Sequence, residues 1–307
     1  MRLAPLFALV KNAEARKNSG MNSLLELLKK STDFLAKKGV GNARLQSELI
    51  FAGTLGCRRL DLYLQFERPL TREQTDLLRE RVVRRSRREP VQYVVGDTDF
   101  RTLTLKCDPR ALIPRPETEE LVGFVLEKLA AARPAGTPAR VLDLGTGTGA
   151  IALAIAAERP GTRLVAADVS ADALALAREN FALNFEKKGV PADVEFLRSD
   201  WFENVAGTFD AIVSNPPYLT RAEWECAEPE VREREPLSAL VAENDGLADL
   251  EKILRGARER LAPGGFIALE TGIAHHARLA EIARECGFSE TESRADLSDR
   301  PRFFFAR

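Results

Sequence analysis

The sequence predicts an α/β chain: a Rossmann-like, doubly wound sheet preceded by a small N-terminal helical domain and a linking β-hairpin. Three observations predict it. From Arg140 the pattern runs strand, glycine turn, helix, strand, as in ARVLDLGTGTGAIALAIAAERP followed by TRLVAADVS. The strand segments Arg140 to Leu144, Leu164 to Asp168 and Phe209 to Ser214 are short and apolar along their length, as parallel strands covered on both faces must be. Upstream, from Ser23 to about Arg88, apolar residues instead recur at helical spacing.

Taken in order, the chain of 307 residues divides into four expected parts. Residues 1–20 loosely imitate a secretory signal, with Arg2 ahead of LAPLFALV, but read better as a disordered extension or an upstream start, because Met21-Asn22-Ser23 opens a capped helix. Residues 21–90 form the helical domain, broken near Gly39-Val40-Gly41 and Pro69. Thr71-Arg-Glu-Gln fits a helix cap leading into Arg79–Glu89, which holds six arginines. That run reads either as an anionic docking surface or as a solvated helix face. Residues 91–110 are the linking hairpin, with Tyr93 to Leu105 as paired short strands. Residues 111–307 form the Rossmann-like domain, in which a helix runs from Ala171 to Asn184 and Gly264-Gly265 precedes a further strand, FIALE.

Composition excludes more than it names. A formal charge of -1 supplies no global basic field, so any nucleic-acid contact is local and no specific nucleic acid is expected. Cys57, Cys107, Cys226 and Cys286 are far apart, without a CxxC pair or a Cys/His cluster, which predicts reduced, mostly buried thiols and no metal site. No apolar run reaches the roughly 20 residues that span a bilayer, so no membrane association is expected and the expected location is cytoplasmic.

The first candidate site is the turn after the first strand of the sheet. Asp143-Leu144-Gly145-Thr146-Gly147-Thr148-Gly149 ends a strand in a glycine-rich turn that opens a helix, bringing backbone amides close to a ligand. Asp168 closes the next strand about twenty residues on, where a carboxylate accepts hydrogen bonds from ribose hydroxyls. Gly145, Gly147 and Ala150 also satisfy the dinucleotide pattern GxGxxG/A, so the turn alone leaves a nicotinamide or flavin open. Asp143 would repel a pyrophosphate and suits the cationic end of S-adenosylmethionine. Ser199-Asp200-Trp201 then offers a polar group and an aromatic face to an adenine, although a tryptophan there also suits the core.

The second candidate site is Ser214-Asn215-Pro216-Pro217-Tyr218, at the C-terminal edge of a strand, where open α/β sheets bind ligands. Methyl transfer from a sulfonium needs the acceptor nitrogen about 3–3.5 Å from the carbon. A planar nitrogen has a delocalised lone pair, and two hydrogen-bond acceptors would both orient it and favour the positive charge it develops. Asn215 offers its side-chain carbonyl, Pro216 its backbone carbonyl, Tyr218 a flat surface, and the paired prolines rigidity. These residues predict a class I S-adenosylmethionine-dependent methyltransferase acting on a planar amino group.

The chain resembles the bacterial peptide chain release factor glutamine methyltransferases, the PrmC/HemK family. The segments that carry the resemblance are Glu89-Pro-Val-Gln-Tyr-Val-Val-Gly96, Leu112-Ile-Pro-Arg-Pro-Glu-Thr-Glu119, LDLGTGTGAIALA, Ser199-Asp-Trp-Phe202, SNPPY, Glu235-Pro-Leu-Ser-Ala-Leu240 and Gly264-Gly-Phe266. They span roughly 22–307. The glycine turn and SNPPY are shared with many amino methyltransferases, whereas IPRPETE and the EPLSAL element are particular to this family. The resemblance implies methylation of the glutamine side-chain amide in the Gly-Gly-Gln motif of class I release factors, with the helical domain as the docking module. It implies cofactor contacts at Asp143, Gly145, Thr146, Gly147, Thr148, Gly149, Asp168, Asp200, Trp201 and Asn215. Catalysis is expected from Asn215, Pro216 and Tyr218, and substrate contacts from these with Pro217, Arg115 and Phe100. Phe100 reads equally as hairpin core. Arg115, Glu117 and Glu119 read as wall and scaffold, the acids either holding the arginine or starting a helix. His275-His276 reads as an exposed helix start. Alternatives are a glutamine methyltransferase acting on a ribosomal protein, an adenine-amino methyltransferase on DNA or RNA, and a non-catalytic cofactor-binding module.

Overall fold

The computed structural model describes residues 23–133 and 136–307; the extension read into residues 1–20 lies outside them. The chain divides into two compact units between Val95 and Gly96.

In the first unit, α1 (Leu24–Lys37) starts at Ser23, whose hydroxyl accepts the Glu26 N–H while the Glu26 carboxylate accepts the Ser23 N–H. The same reciprocal cap, Thr71 with Gln74, starts α3 (Arg72–Ser86). Each cap satisfies two amides that a helix start leaves bare. Between them, α2 (Ala43–Leu55) packs Ile50 and Phe51 against Leu24, Leu28, Leu35, Leu78 and Val82. The arginine run is largely committed inside this unit. Arg79 pairs with Asp76, Arg81 donates to the Thr54 hydroxyl, Arg84 to Glu89, Arg85 to the Gln46 side chain and Arg88 to the Gly39 carbonyl.

The structure differs from the paired strands expected from Tyr93 onward. Val91–Val95 is a short helix, α4, whose Val91 and Val94 join the helical core. Packing here overrides the strand preference of β-branched residues. The hairpin is confined to β1 (Asp97–Phe100) and β2 (Leu103–Lys106) and belongs to the second unit.

The second unit is built on a seven-stranded sheet in the order β5-β4-β3-β6-β7-β9-β8. Five strands are parallel: β3 (Arg140–Leu144), β4 (Arg163–Asp168), β5 (Asp193–Arg198), β6 (Phe209–Ser214) and β7 (Leu261–Glu270). β9 (Pro301–Ala306) runs antiparallel to β7, and the edge strand β8 (Thr291–Ala295) pairs antiparallel with β9. Alternate residues of each strand serve opposite faces. Val141, Leu164, Ala166, Ala211, Val213 and Ala268 meet α5 (Pro116–Ala132), α6 (Ala150–Glu158) and the hairpin on one face. Leu142, Leu144, Val165, Ala167, Ile212 and Ile267 meet α10 (Ala248–Ala257) and α11 (His276–Glu285) on the other. Helix α7 (Ala171–Asn184) follows β4, while the short helices α8 (Arg221–Glu225) and α9 (Pro229–Arg234) follow β6.

Two expectations are corrected here. His275-His276 does start a helix, but His275 is buried, its Nε2 3.1 Å from the Asp245 carbonyl. The imidazole of His276 bridges the Thr271 and Ser293 hydroxyls. The glycines around this helix start leave room for the first ring, since a Cβ on Gly272 would stand 2.8 Å from it. The thiols are free, as expected, but of the four only Cys107 is buried and Cys226 is exposed. Burial pushes the Cys107 thiol up to about 12, which makes it inert as a nucleophile.

Candidate active site

A cavity of about 510 Å³ opens at the C-terminal ends of β3, β4 and β6. It is walled by the glycine turn, Asp168, the Asp200-Trp201 corner, Asn215-Pro216-Pro217 and Arg115. The chain steps outward from β3 to β4 and β5 and then crosses back to β6 on the other side of β3, so the sheet opens a crevice at this point, where doubly wound folds bind ligands.

The glycine turn is braced from β4. Gly145 and Gly147 sit at φ 69° and 56°, a region other residues enter at a cost. The Gly147 N–H donates to Asp168 Oδ2 at 2.9 Å, and the Ser170 N–H donates to Oδ1 at 2.9 Å. Burial pushes the Asp168 carboxyl up, and these backbone donors pull it back. The opposite wall is the Trp201 ring, which a Cβ on Gly145 would approach to 3.5 Å. Trp201 is held at φ 45°. Its carbonyl accepts from Ser199 Oγ, and its indole N–H donates to Asp249 of α10. A non-glycine residue in this conformation persists only when its surroundings fix it. Asp249 and Lys252, both lining the cavity, were not singled out in the sequence because the helix that carries them has no motif.

Four residues expected at the site stand elsewhere. Strand alternation turns Asp143 toward α6, away from the cavity, where its Oδ2 accepts from Thr146 Oγ1 at 2.6 Å and from the Ala152 N–H at 3.1 Å. It is fully buried, and Oδ1 has no partner. Gly149 begins α6 at φ 84°, where a Cβ would press on Leu153 and Ala177; it serves close packing. Phe100 is 1% exposed, in the core beneath the hairpin with Leu103, Leu105 and Leu121. Tyr218 turns its hydroxyl away from the cavity to Glu270 Oε1 at 3.1 Å, with the Arg302 guanidinium 5.8 Å from its ring. Its phenol is raised by burial and by the Glu270 charge, so it acts as a hydrogen-bond donor there, and it is not among the residues that line the cavity.

Two of these placements make predictions. Burial pushes the Asp143 carboxyl from 3.8 up to about 7. Between those values the folded chain keeps a proton that the unfolded chain has released, so this group's contribution to stability falls as pH rises through the window and is level above it. Asp143→Asn keeps an acceptor for Thr146 and removes the charge. Thermal unfolding from about pH 5 to 8 should therefore show wild type losing stability relative to the variant; parallel curves would refute the buried-charge account. For Phe100→Leu, a loss of about 1–2 kcal/mol in urea unfolding is expected, because leucine fills only part of the space the buried ring leaves. KM for the acceptor should stay unchanged, whereas a raised KM would return Phe100 to the substrate.

The acceptor side is knitted together from distant segments. Arg115, the residue before α5, pairs with Glu235 at 2.5 Å, and the other Glu235 oxygen accepts the Ile113 N–H at 3.1 Å. The acid that holds the arginine is thus in the EPLSAL element, while Glu117 and Glu119 take the other role expected of them, in the first turn of α5. Glu119 also accepts the Arg101 N–H at the hairpin turn. Asn215 Nδ2 donates to Thr118 Oγ1 at 3.1 Å, and Thr118 Oγ1 donates to Glu270 Oε2 at 2.7 Å. Ser214 Oγ donates to the Leu144 carbonyl at 2.7 Å, pinning the end of β6 to that of β3.

Known proteins share this arrangement of sequence. Residues 26–96 match the PrmC N-terminal domain and residues 123–228 the methyltransferase small domain. The release factor glutamine methyltransferase of Chlorobaculum tepidum is 40% identical over 87% of this chain and 90% of that protein. That of Salmonella typhimurium is 40% identical over 84% of this chain and 90% of its own length. The chain belongs to the release factor glutamine methyltransferase family. Among solved structures, the hMettl16 catalytic domain in complex with the MAT2A 3'UTR hairpin 6 aligns with a TM-score of 0.54 at 16% identity, covering 75% of this chain and 81% of that one. The shared fold is that of class I methyltransferases.

The charges around the cavity fit the family's cofactor better than a dinucleotide. Asp168, Asp172, Asp200 and Asp249 line it. Of its basic residues, Arg110 is held by Asp108 and Glu179, Arg115 by Glu235, and Lys252 stands 3.8 Å from Asp200. No free arginine fork among the described lining residues faces the glycine turn, as a pyrophosphate would want. Carboxylates suit a cationic nucleoside.

Proposed function

We propose that this chain transfers a methyl group from S-adenosylmethionine to the side-chain amide nitrogen of the glutamine in the Gly-Gly-Gln motif of class I release factors. The observation that carries the reading is the Asn215 carboxamide. Its Nδ2 is committed to Thr118, which leaves Oδ1 as an acceptor beside a cavity it shares with the glycine turn and Asp168. Asn215 Oδ1 and the Pro216 carbonyl would receive the two N–H groups of a primary amide and set its plane. Acceptors held in place in this way stabilise the positive charge that grows on the nitrogen during transfer. Asp168 would hold the ribose hydroxyls, Trp201 the adenine face, and the Gly145 to Thr148 backbone the remainder of the cofactor. S-adenosylmethionine supplies an electrophilic methyl group. The nitrogen then sheds a proton to water or a nearby carbonyl, and no histidine base is required.

The family relationship points to release factors as the protein substrate, and Arg115 with Pro236 and Ser238 would form the wall beside the incoming glutamine. The test is to incubate the chain with methyl-labelled S-adenosylmethionine and, in separate arms, a class I release factor, ribosomal proteins, and adenine-containing nucleic acid. Label is expected on the release factor, mapped by mass spectrometry to the glutamine of its Gly-Gly-Gln motif. Label confined to either other arm overturns the substrate assignment.

A further inference from the structure

We propose that Thr118 and Glu270 are positioning residues that fix which end of the Asn215 carboxamide faces the methyl acceptor; this rests on the role of Asn215 proposed above. The oxygen and nitrogen ends of an asparagine side chain are nearly the same shape. A half-turn of the terminal torsion exchanges acceptor for donor, and that torsion is soft and roughly two-fold. A flipped Asn215 would present N–H groups to the N–H groups of the incoming amide. The direction must therefore be imposed from behind.

The imposing group is a chain of hydrogen bonds whose polarity the ionised Glu270 carboxylate sets. Glu270 ends β7 and is 1% exposed. Ionised, its carboxylate only accepts, and it accepts Tyr218 OH on Oε1 at 3.1 Å and Thr118 Oγ1 on Oε2 at 2.7 Å. A hydroxyl carries a single hydrogen. With that hydrogen held by Glu270, the Thr118 oxygen shows only lone pairs to Asn215, 3.1 Å away. Only Nδ2 can satisfy it, and Oδ1 turned that way would meet lone pairs with lone pairs. Thr118 is itself 4% exposed, its N–H bonded to the Arg115 carbonyl at 3.1 Å. A buried, satisfied network of this kind is rigid, and any broken member leaves a costly unpaired group. Three segments distant in sequence thus set one rotamer: the threonine of IPRPETE, the last residue of β7, and the tyrosine of SNPPY.

The reading separates the hydroxyl from the bulk of Thr118. Thr118→Val keeps the shape and removes the hydroxyl, Thr118→Ser keeps the hydroxyl, and Thr118→Ala repeats the test where valine disturbs the helix start. With the acceptor that the wild type labels, kcat should fall about tenfold in the Val and Ala variants and stay within about twofold in Ser, the weight of one hydrogen bond. The dissociation constant for S-adenosylmethionine should stay unchanged in all three. Independently of any acceptor, the side-chain NH2 signals of Asn215 in an amide NMR spectrum, assigned by their loss in Asn215→Ala, should be protected from solvent exchange in wild type and Ser and unprotected in Val and Ala. Wild-type kcat and unchanged signals in the Val and Ala variants overturn the proposal, as does equal loss in Ser and Val, which would show packing alone. If the wild type labels no acceptor, the proposed function fails while the amide signals still decide the positioning role.

Discussion

Asn215→Ala should lower methyl transfer by about 10²–10³-fold, the usual effect of deleting one preorganised polar group that faces developing charge. Affinity for S-adenosylmethionine should change little, because Asp168 and the glycine turn are fixed by bonds that do not involve Asn215. The loss should fall on kcat more than on KM, since an interaction that strengthens as charge develops in the transition state acts on the chemical step. Single-turnover rates with saturating cofactor, beside calorimetric binding of the cofactor, separate the two quantities. Equal losses in rate and cofactor affinity would assign Asn215 to the cofactor instead. The variant also leaves Thr118 Oγ1 without the donor 3.1 Å away, so an unfolding curve belongs in the same experiment. A small drop in stability is expected, far too small to explain the lost rate.

Asp168→Ala should act on the opposite term. Its carboxylate faces the cavity and simultaneously accepts the Gly147 and Ser170 N–H groups, each at 2.9 Å. The substitution therefore removes the acceptor for the ribose hydroxyls and releases the turn that cradles the rest of the cofactor. Hydrogen bonds to a charged group contribute about 1.5–3 kcal/mol each, so losing those to two ribose hydroxyls, at about 1.4 kcal/mol per decade, predicts a dissociation constant raised by about 100-fold or more. At saturating cofactor, kcat should recover most of its value. Asp168→Asn, which keeps one acceptor, should fall between. A wild-type dissociation constant in Asp168→Ala would remove this carboxylate from the cofactor site.

The two variants bear on different parts of the same crevice, and the sequence revealed these parts unequally. The strands β3 and β6 and the helix α7 are read from the sequence at the residues where they are found. Their patterns are local: apolar runs bounded by glycine, proline or a capping serine. The hairpin starts later than its local pattern suggests because Val94 and Val95 have the local preference of strand residues but pack with the helical core. The same limit applies to the arginine run. Composition suggested a charged surface, while Arg84 and Arg85 find partners at Glu89 and Gln46 that no local pattern discloses.

By itself, the sequence determined that a glycine turn, an acidic strand end and an NPPY segment meet at one edge of a doubly wound sheet, because each follows the C-terminal end of a strand and parallel strands end on the same edge. It also determined the family, through IPRPETE and EPLSAL. Only the tertiary structure decided where side chains point. It turned Asp143 and Tyr218 away from the cavity, sank Phe100 into the core, paired Arg115 with Glu235 across 120 residues of sequence, and brought Thr118 and Glu270 behind Asn215. The physical reason is that a motif specifies backbone shape and residue type over a few positions. The partner that fixes a buried polar side chain is whichever group the packing brings within about 3 Å, and that is a property of the whole fold.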